Sequence, residues 1–98
     1  MGELRFTWDP RKASANLKKH RVAFEDAQTV FFDEHALQLD DPDDSVGEDR
    51  FLLLGLSSGL RLLVVCHCER ADGDEIRLIS ARRADRTEQR EYWGRLER

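Results

Sequence analysis

The sequence contains no apolar run long enough to cross a membrane. The longest, Leu62 to Cys66, has five residues, whereas a membrane-spanning helix needs about twenty. The first ten residues, where a secretory signal would begin its apolar region, already include Glu3, Arg5 and Asp9. We therefore expect a cytoplasmic protein that does not act at a membrane.

Cysteine is also scarce, which limits both disulfide and metal chemistry. The only two, Cys66 and Cys68, would share one face of a strand, where they cannot easily bend into a disulfide. His67 between them would point to the opposite face, and no second His or Cys pair follows at ligand spacing. Glycine-rich phosphate loops, nucleophile elbows and paired-histidine helices are absent as well. The sequence thus predicts no metal and no cofactor, and gives no support to nucleotide hydrolysis or acyl transfer.

Charge is abundant but unevenly distributed. The net charge is −4, yet residues 33–50 hold eight acidic side chains against Arg50 alone, a local charge of −7 that leaves +3 elsewhere. Between Ile76 and Arg90, five arginines face two acidic residues. This asymmetry allows anion binding at the basic end, although two solvated surfaces would have the same composition.

At 98 residues and 40% hydrophobic, the chain is long and apolar enough for one folded domain, residues 1–98. Its apolar spacing predicts an α+β fold: a mainly antiparallel sheet of about five strands with two N-terminal helices and one C-terminal helix. The expected strands are Leu4–Trp8, Ala36–Leu39, Phe51–Leu56, Leu60–Glu69 and Ile76–Ala81.

Cap signals and apolar spacing place the helices. The first begins at Asp9-Pro10, turns Ala13, Leu17 and His20 inward, and ends at Arg21. The second runs from Phe24 to Phe32. In the last, Asp85 and Glu88 form a capping box, and the expected apolar side consists of Tyr92, Trp93 and Leu96.

Reactive side chains are densest around the last two strands. Strand alternation places His67 and Glu69 on one face of the sheet and places Arg82 and Arg83 on opposite faces. The sequence alone therefore does not show that these side chains come together in one site. A non-functional interpretation exists for both groups. A histidine at a helix C-terminus, such as His20, interacts favourably with the helix dipole. The arginines near Glu88 can form ordinary ion pairs on the surface of a helix.

Whole phrases of the sequence, in order along nearly the entire chain, resemble the BrnT family. They are Phe6-Thr7-Trp8-Asp9-Pro10-Arg11-Lys12, Asn16-Leu17-Lys18-Lys19-His20, Val22-Ala23-Phe24-Glu25-Asp26-Ala27, Asp40-Asp41-Pro42-Asp43, Gly47-Glu48-Asp49-Arg50-Phe51, Val64-Val65-Cys66-His67-Cys68-Glu69-Arg70 and Ile76-Arg77-Leu78-Ile79-Ser80-Ala81-Arg82-Arg83-Ala84. Two positions depart from the family pattern: Arg21 replaces the usual glycine, and Cys68 replaces a common threonine.

The resemblance implies a RelE-like ribonuclease toxin that inhibits translation, is neutralised by a BrnA-like antitoxin and reaches operator DNA only through that antitoxin. Metal-free RNA cleavage needs a base, an acid and cations on the phosphate. The implied candidates are Glu69 or His67 as base and His20 or His67 as acid. Arg70 and Arg82 would clamp the phosphate. Lys12, Lys19 and Arg83 would position the RNA backbone.

Two expectations about function follow from the resemblance. The antitoxin should dock on the basic surface, where it would compete with RNA for Arg70, Arg82 and Arg83. The alternative to an enzyme is a weak or inactive toxin homologue that binds the antitoxin and assists repression.

Overall fold

The computed structural model describes residues 4–39, 50–70 and 73–97, which form five strands, three α-helices and one 3₁₀ helix. The strands are β1 (Arg5–Thr7), β2 (Leu37–Leu39), β3 (Arg50–Leu56), β4 (Leu62–Arg70) and β5 (Glu75–Arg83). The α-helices are α1 (Pro10–His20), α2 (Phe24–Ala27) and α3 (Arg86–Leu96), and the 3₁₀ helix is Gln28–Phe32. Most of the predicted acidic segment, residues 40–49, lies outside the described residues.

The five strands form one mixed sheet in the order β1-β5-β4-β3-β2. β1 runs parallel to β5, and the other neighbours are antiparallel. The predicted α+β class, strand number and mainly antiparallel pairing are confirmed. β4 begins at Leu62 instead of Leu60 because Leu60 belongs to the preceding turn, where its φ is +62°.

Helix α1 starts and stops where its cap residues predict. The Asp9 carboxylate accepts the Arg11 amide, Pro10 occupies the first turn, and Arg21 adopts the left-handed conformation with φ 60° and ψ 32°. A glycine would adopt this conformation without steric cost, so the Arg21 departure places a less suitable residue at the helix end.

The predicted inward side of α1 is wrong in one respect. Leu17 is 49% exposed, and Asn16 is the buried residue at 5%. Ala13, Asn16 and His20 follow one another at spacings of three and four, so they share a stripe that excludes Leu17. A polar side chain occupies this inward position because it bonds to the sheet edge, as described below.

The second predicted helix is two short helices, α2 and the 3₁₀ helix. Phe24 and Ala27 are buried as expected, and Phe31 packs against the same cluster. In α3 the capping box between Asp85 and Glu88 is confirmed. Its apolar side is narrower than predicted: Tyr92 is 2% exposed, whereas Trp93 and Leu96 are 45% and 38% exposed.

The sheet has a core on each face. On the first face, Leu63 and Val65 of β4 pack with Phe24, Val30 and other residues of the N-terminal helices. On the second face, Val64 packs with Leu54, Ala84 and Tyr92. Among the described residues, no helix is long and apolar enough to span a membrane.

Candidate functional site

Asn16 joins helix α1 to the edge of the sheet. β1 pairs only with residues 75–77 of β5, so the rest of that edge lacks a strand neighbour within the described chain. The Asn16 amide occupies part of it: Nδ2 donates to the Ala81 carbonyl at 2.9 Å, and Oδ1 accepts the Ala81 N–H at 3.0 Å. Nδ2 also donates to the Val22 carbonyl at 2.9 Å. One buried side chain thus fixes the position of α1 beside β5.

This attachment creates a basic pocket between α1 and β5, which we call the α1–β5 pocket. Lys12, Lys19 and His20 lie on the α1 side, at the helical spacings that place residues on one stripe. Ile79 and Ser80 of β5 lie opposite, and the cavity volume is about 210 Å³. Three of the predicted site residues are therefore brought together.

Ser80 and Asn16 were missed as site residues by sequence reasoning. The pairing register of β4 with β5 shifts between Cys66 and His67. Cys66 pairs with Ser80 and His67 pairs with Leu78, so Ile79 is an extra residue of β5 without a pairing partner in β4. Such a bulge redirects nearby side chains. The one signal for Asn16 in the sequence is its helical spacing from Ala13 and His20, which places a polar residue on the inward side of α1. No local sequence pattern predicts the bulge beside Ser80.

His67 lies in the core, not at the surface. It is 4% exposed, and its ring centroid is 4.7 Å from that of Phe31 and 5.8 Å from that of Phe51. Burial lowers the pKa of His67, although the Val65 carbonyl and the Glu69 charge oppose the shift. This burial argues against the predicted acid or base role of His67, because an RNA phosphate would have to reach a side chain that the core encloses.

Glu69 and Arg70 lie at one end of the β4–β5 pair, and Arg82 and Arg83 lie at the other. Arg70 pairs in register with Glu75, whereas Arg82 pairs with Val64. Val64 and Arg70 are six positions apart along β4, or about 20 Å at strand spacing. Arg82 and Arg83 pair with Val64 and Leu63, which point to opposite faces, as predicted. The predicted catalytic residues therefore do not form one cluster.

Arg82 has a partner in helix α3. Its Nη1 and Nη2 donate to the two carboxylate oxygens of Glu88, each at 2.8 Å. This bidentate contact raises the pKa of Arg82 and lowers that of Glu88, while partial burial opposes both shifts. The Arg82 side chain is still 41% exposed. It follows Ser80 by two residues on the second face of the sheet, but it is not among the residues that line the α1–β5 pocket.

The α1–β5 pocket has the chemistry of an anion site with one proton carrier. Two lysines supply positive charge, a serine supplies a hydroxyl, and a histidine supplies an imidazole, the side chain most often used in general acid–base catalysis. Within residues 4–39, 50–70 and 73–97, no group of three or more His, Cys, Asp or Glu side chains is placed to hold a metal ion. Phosphate binding with proton transfer is what these groups support.

Comparison with known proteins points to one family. The family model for the ribonuclease toxin BrnT of type II toxin–antitoxin systems matches residues 8–88. The crystal structure of the Brucella abortus ribonuclease toxin BrnT is similar with a TM-score of 0.64 and 22% identity, covering 85% of this chain and 99% of that chain. At this identity the structural likeness demonstrates a shared fold. No curated protein sequence matches the chain.

Proposed function

Since the chain belongs to the BrnT ribonuclease toxins of type II toxin–antitoxin systems, we propose that it is a metal-independent RNA endonuclease that inhibits translation in the cytoplasm. A BrnA-like antitoxin neutralises it and links it to operator DNA. The observation that supports this proposal is the α1–β5 pocket, which is lined by Lys12, Lys19, His20 and Ser80. We place the cleavage site there.

In this pocket the lysines hold the scissile phosphate and His20 acts as the acid. The 2′-hydroxyl oxygen attacks the adjacent phosphorus, its proton leaves to solvent, and the bond to the 5′-oxygen breaks. His20 gives a proton to that leaving oxygen. The two ammonium groups and the Ser80 hydroxyl stabilise the charge that grows on the non-bridging oxygens.

We propose that Arg82, two residues after Ser80, continues the phosphate-binding surface along the second face. Two of its N–H groups bond to Glu88, and the exposed part of its guanidinium still offers donors to a phosphate. Glu69, Arg70 and Arg83 lie farther along the strands. In this proposal Arg70 and Arg83 contact the RNA backbone outside the scissile position, whereas the Glu69 carboxylate lies outside the α1–β5 pocket and is not the base.

The test is cleavage of a single-stranded RNA by the purified chain in EDTA. His20→Gln should lower the cleavage rate by about 10²–10⁴-fold, because general acid catalysis contributes about that much. His35→Gln is the matched control, since His35 is an exposed histidine next to Glu34 and outside the pocket. Lys12→Ala and Lys19→Ala should each weaken RNA binding more than Lys18→Ala.

Three results would contradict the proposal in different ways. Equal effects of His20→Gln and His35→Gln would place the chemistry elsewhere. Activity that disappears in EDTA and returns with magnesium would exclude the metal-independent mechanism. Absence of cleavage by the wild-type chain, together with antitoxin binding, would favour the inactive co-repressor.

A further inference from the structure

One side of helix α3 is uncovered. Arg86, Arg90 and Trp93 follow at spacings of four and three and line a pocket of about 360 Å³ together with Gln89, Gly94 and Glu97. Trp93 is 45% exposed, and a Cβ added at Gly94 would meet no atom within 4 Å. Tyr92, on the other side, attaches the helix to the sheet. Within the described chain, this surface of α3 has room for another molecule.

A second pocket continues from this surface to the turn between β3 and β4. Its volume is about 310 Å³, and it shares Gln89 and Trp93 with the first pocket. Its remaining lining residues are Leu56, Leu60, Arg61, Leu62, Arg83 and Ala84. We call the two connected pockets the Trp93 groove.

Leu60 in this groove is unfavourable for the free protein in two respects. Its side chain is 79% exposed, and its backbone is in the left-handed region, with φ +62°. That conformation costs about 1–2 kcal/mol for a residue with a Cβ, and asparagine or glycine would fit it better. The cost is offset if another molecule covers the leucine.

The charge on the groove indicates what kind of molecule that is. Arg83, Arg86 and Arg90 border it, whereas Glu97 is the one acidic side chain among its lining residues. Arg61 already pairs with Asp26 at 3.1 Å. Leucine offers neither a stacking surface nor a hydrogen bond to nucleic acid, so the combination of leucine, tryptophan and arginine favours an acidic amphipathic polypeptide over RNA.

We propose that the Trp93 groove docks an acidic amphipathic segment of the antitoxin that neutralises this chain. Apolar side chains of the segment pack on Leu60 and Trp93, and its carboxylates pair with Arg83, Arg86 and Arg90. This inference rests on the proposed function. The groove and the α1–β5 pocket share no lining residue, and of the three arginines first expected to bind the antitoxin only Arg83 belongs to it.

The experiment measures the affinity of the purified chain for its neighbour-encoded antitoxin in the absence of RNA. Leu60→Asn removes the apolar contact while suiting the backbone, so affinity should fall by about tenfold or more without loss of thermal stability. The double variant Arg86→Glu with Arg90→Glu should weaken binding by about 10²-fold and reduce its salt dependence.

Matched controls lie on α1. Leu17→Gln removes another exposed leucine, and Arg11→Glu with Lys18→Glu makes the same change of net charge away from the groove. These controls should bind the antitoxin as the wild type does.

Two results would overturn the inference alone. In the first, the wild-type chain binds the antitoxin and the groove variants bind equally well. In the second, the groove variants lose RNA cleavage but keep antitoxin affinity, which would make the groove an RNA surface. A wild-type chain that cleaves RNA but does not bind the antitoxin would instead contradict the proposed toxin–antitoxin pairing, and the inference with it.

Discussion

Helices α1 and α3 are attached to the sheet by different kinds of contact. α1 is joined by the buried Asn16, which makes three hydrogen bonds to backbone groups of the sheet and of the following loop. α3 buries one side chain, Tyr92, and adds the polar contacts Tyr92–Asp33 and Arg82–Glu88 nearer the surface. The helix that carries the proposed catalytic residues is therefore held by a buried amide, and the helix proposed to meet the antitoxin is held by one buried ring and by polar contacts nearer the surface.

Asn16→Leu removes the amide that attaches α1 to the sheet, and it should have the largest effect on stability of the variants considered. It leaves three buried backbone groups without partners, at about 1–3 kcal/mol each, so the free energy of unfolding should fall by about 3 kcal/mol or more. RNA cleavage should fall as well, because α1 no longer holds Lys12, Lys19 and His20 against Ser80. Chemical denaturation and cleavage assays measure the two effects.

Ser14→Ala is the control for this variant, since Ser14 is an exposed residue of the same helix. A loss of less than about 0.5 kcal/mol in Asn16→Leu, within the range of ordinary surface substitutions, would show that α1 does not depend on the amide.

Tyr92→Phe tests the attachment of α3 and should have an intermediate effect. The Tyr92 hydroxyl donates to the Asp33 carboxylate at 2.6 Å. Burial and this bond raise the pKa of Tyr92 above its usual range, so it stays a donor at neutral pH. Hydrogen bonds to charged groups contribute about 1.5–3 kcal/mol, and the free energy of unfolding should fall by about that amount.

The same contact makes the attachment of α3 sensitive to acid. Burial alone would raise the pKa of Asp33, but bonds from Leu56, Tyr92 and His35 outweigh it and lower that pKa. A lowered pKa in the folded state means that the stabilisation is present above about pH 4 and is lost as the pH falls through the folded value. Tyr92→Phe should therefore flatten the acid limb of the stability curve. An unchanged limb would contradict the assignment to Asp33.

The sequence was informative where the signal was local. The cap residues Asp9 and Asp85 lie where predicted, because a cap is recognised within four residues of chain. Strand alternation also gave the correct faces for Arg82 and Arg83. Both signals depend only on neighbouring residues and on the fixed periods of helix and strand.

The candidate site was harder to predict because it depends on contacts between distant residues. Asn16 bonds to Ala81, in the part of β5 that β1 does not reach, and the two bonded residues are 65 positions apart. His67 has the residue type of an acid–base catalyst, but the rings of Phe31 and Phe51 enclose it. Composition and residue spacing do not reveal that the His67 ring is enclosed, because the enclosing rings come from other parts of the chain and meet it only in the folded protein.

Arg82→Ala tests the polar contact between β5 and α3 and should have the smallest effect on stability. The Glu88 carboxylate keeps its capping-box bond from the Asp85 N–H at 2.8 Å, and the Arg82 side chain is 41% exposed, so solvent screens the pair. We expect the free energy of unfolding to fall by about 1 kcal/mol or less.

The cleavage rate of Arg82→Ala should fall much further than its stability if Arg82 also contacts the phosphate. Glu88→Gln separates the two roles, because it weakens the contact to α3 and leaves the guanidinium in place. A large loss of cleavage in Arg82→Ala alone supports the phosphate contact, whereas equal losses in both variants would reduce Arg82 to a residue that orients α3.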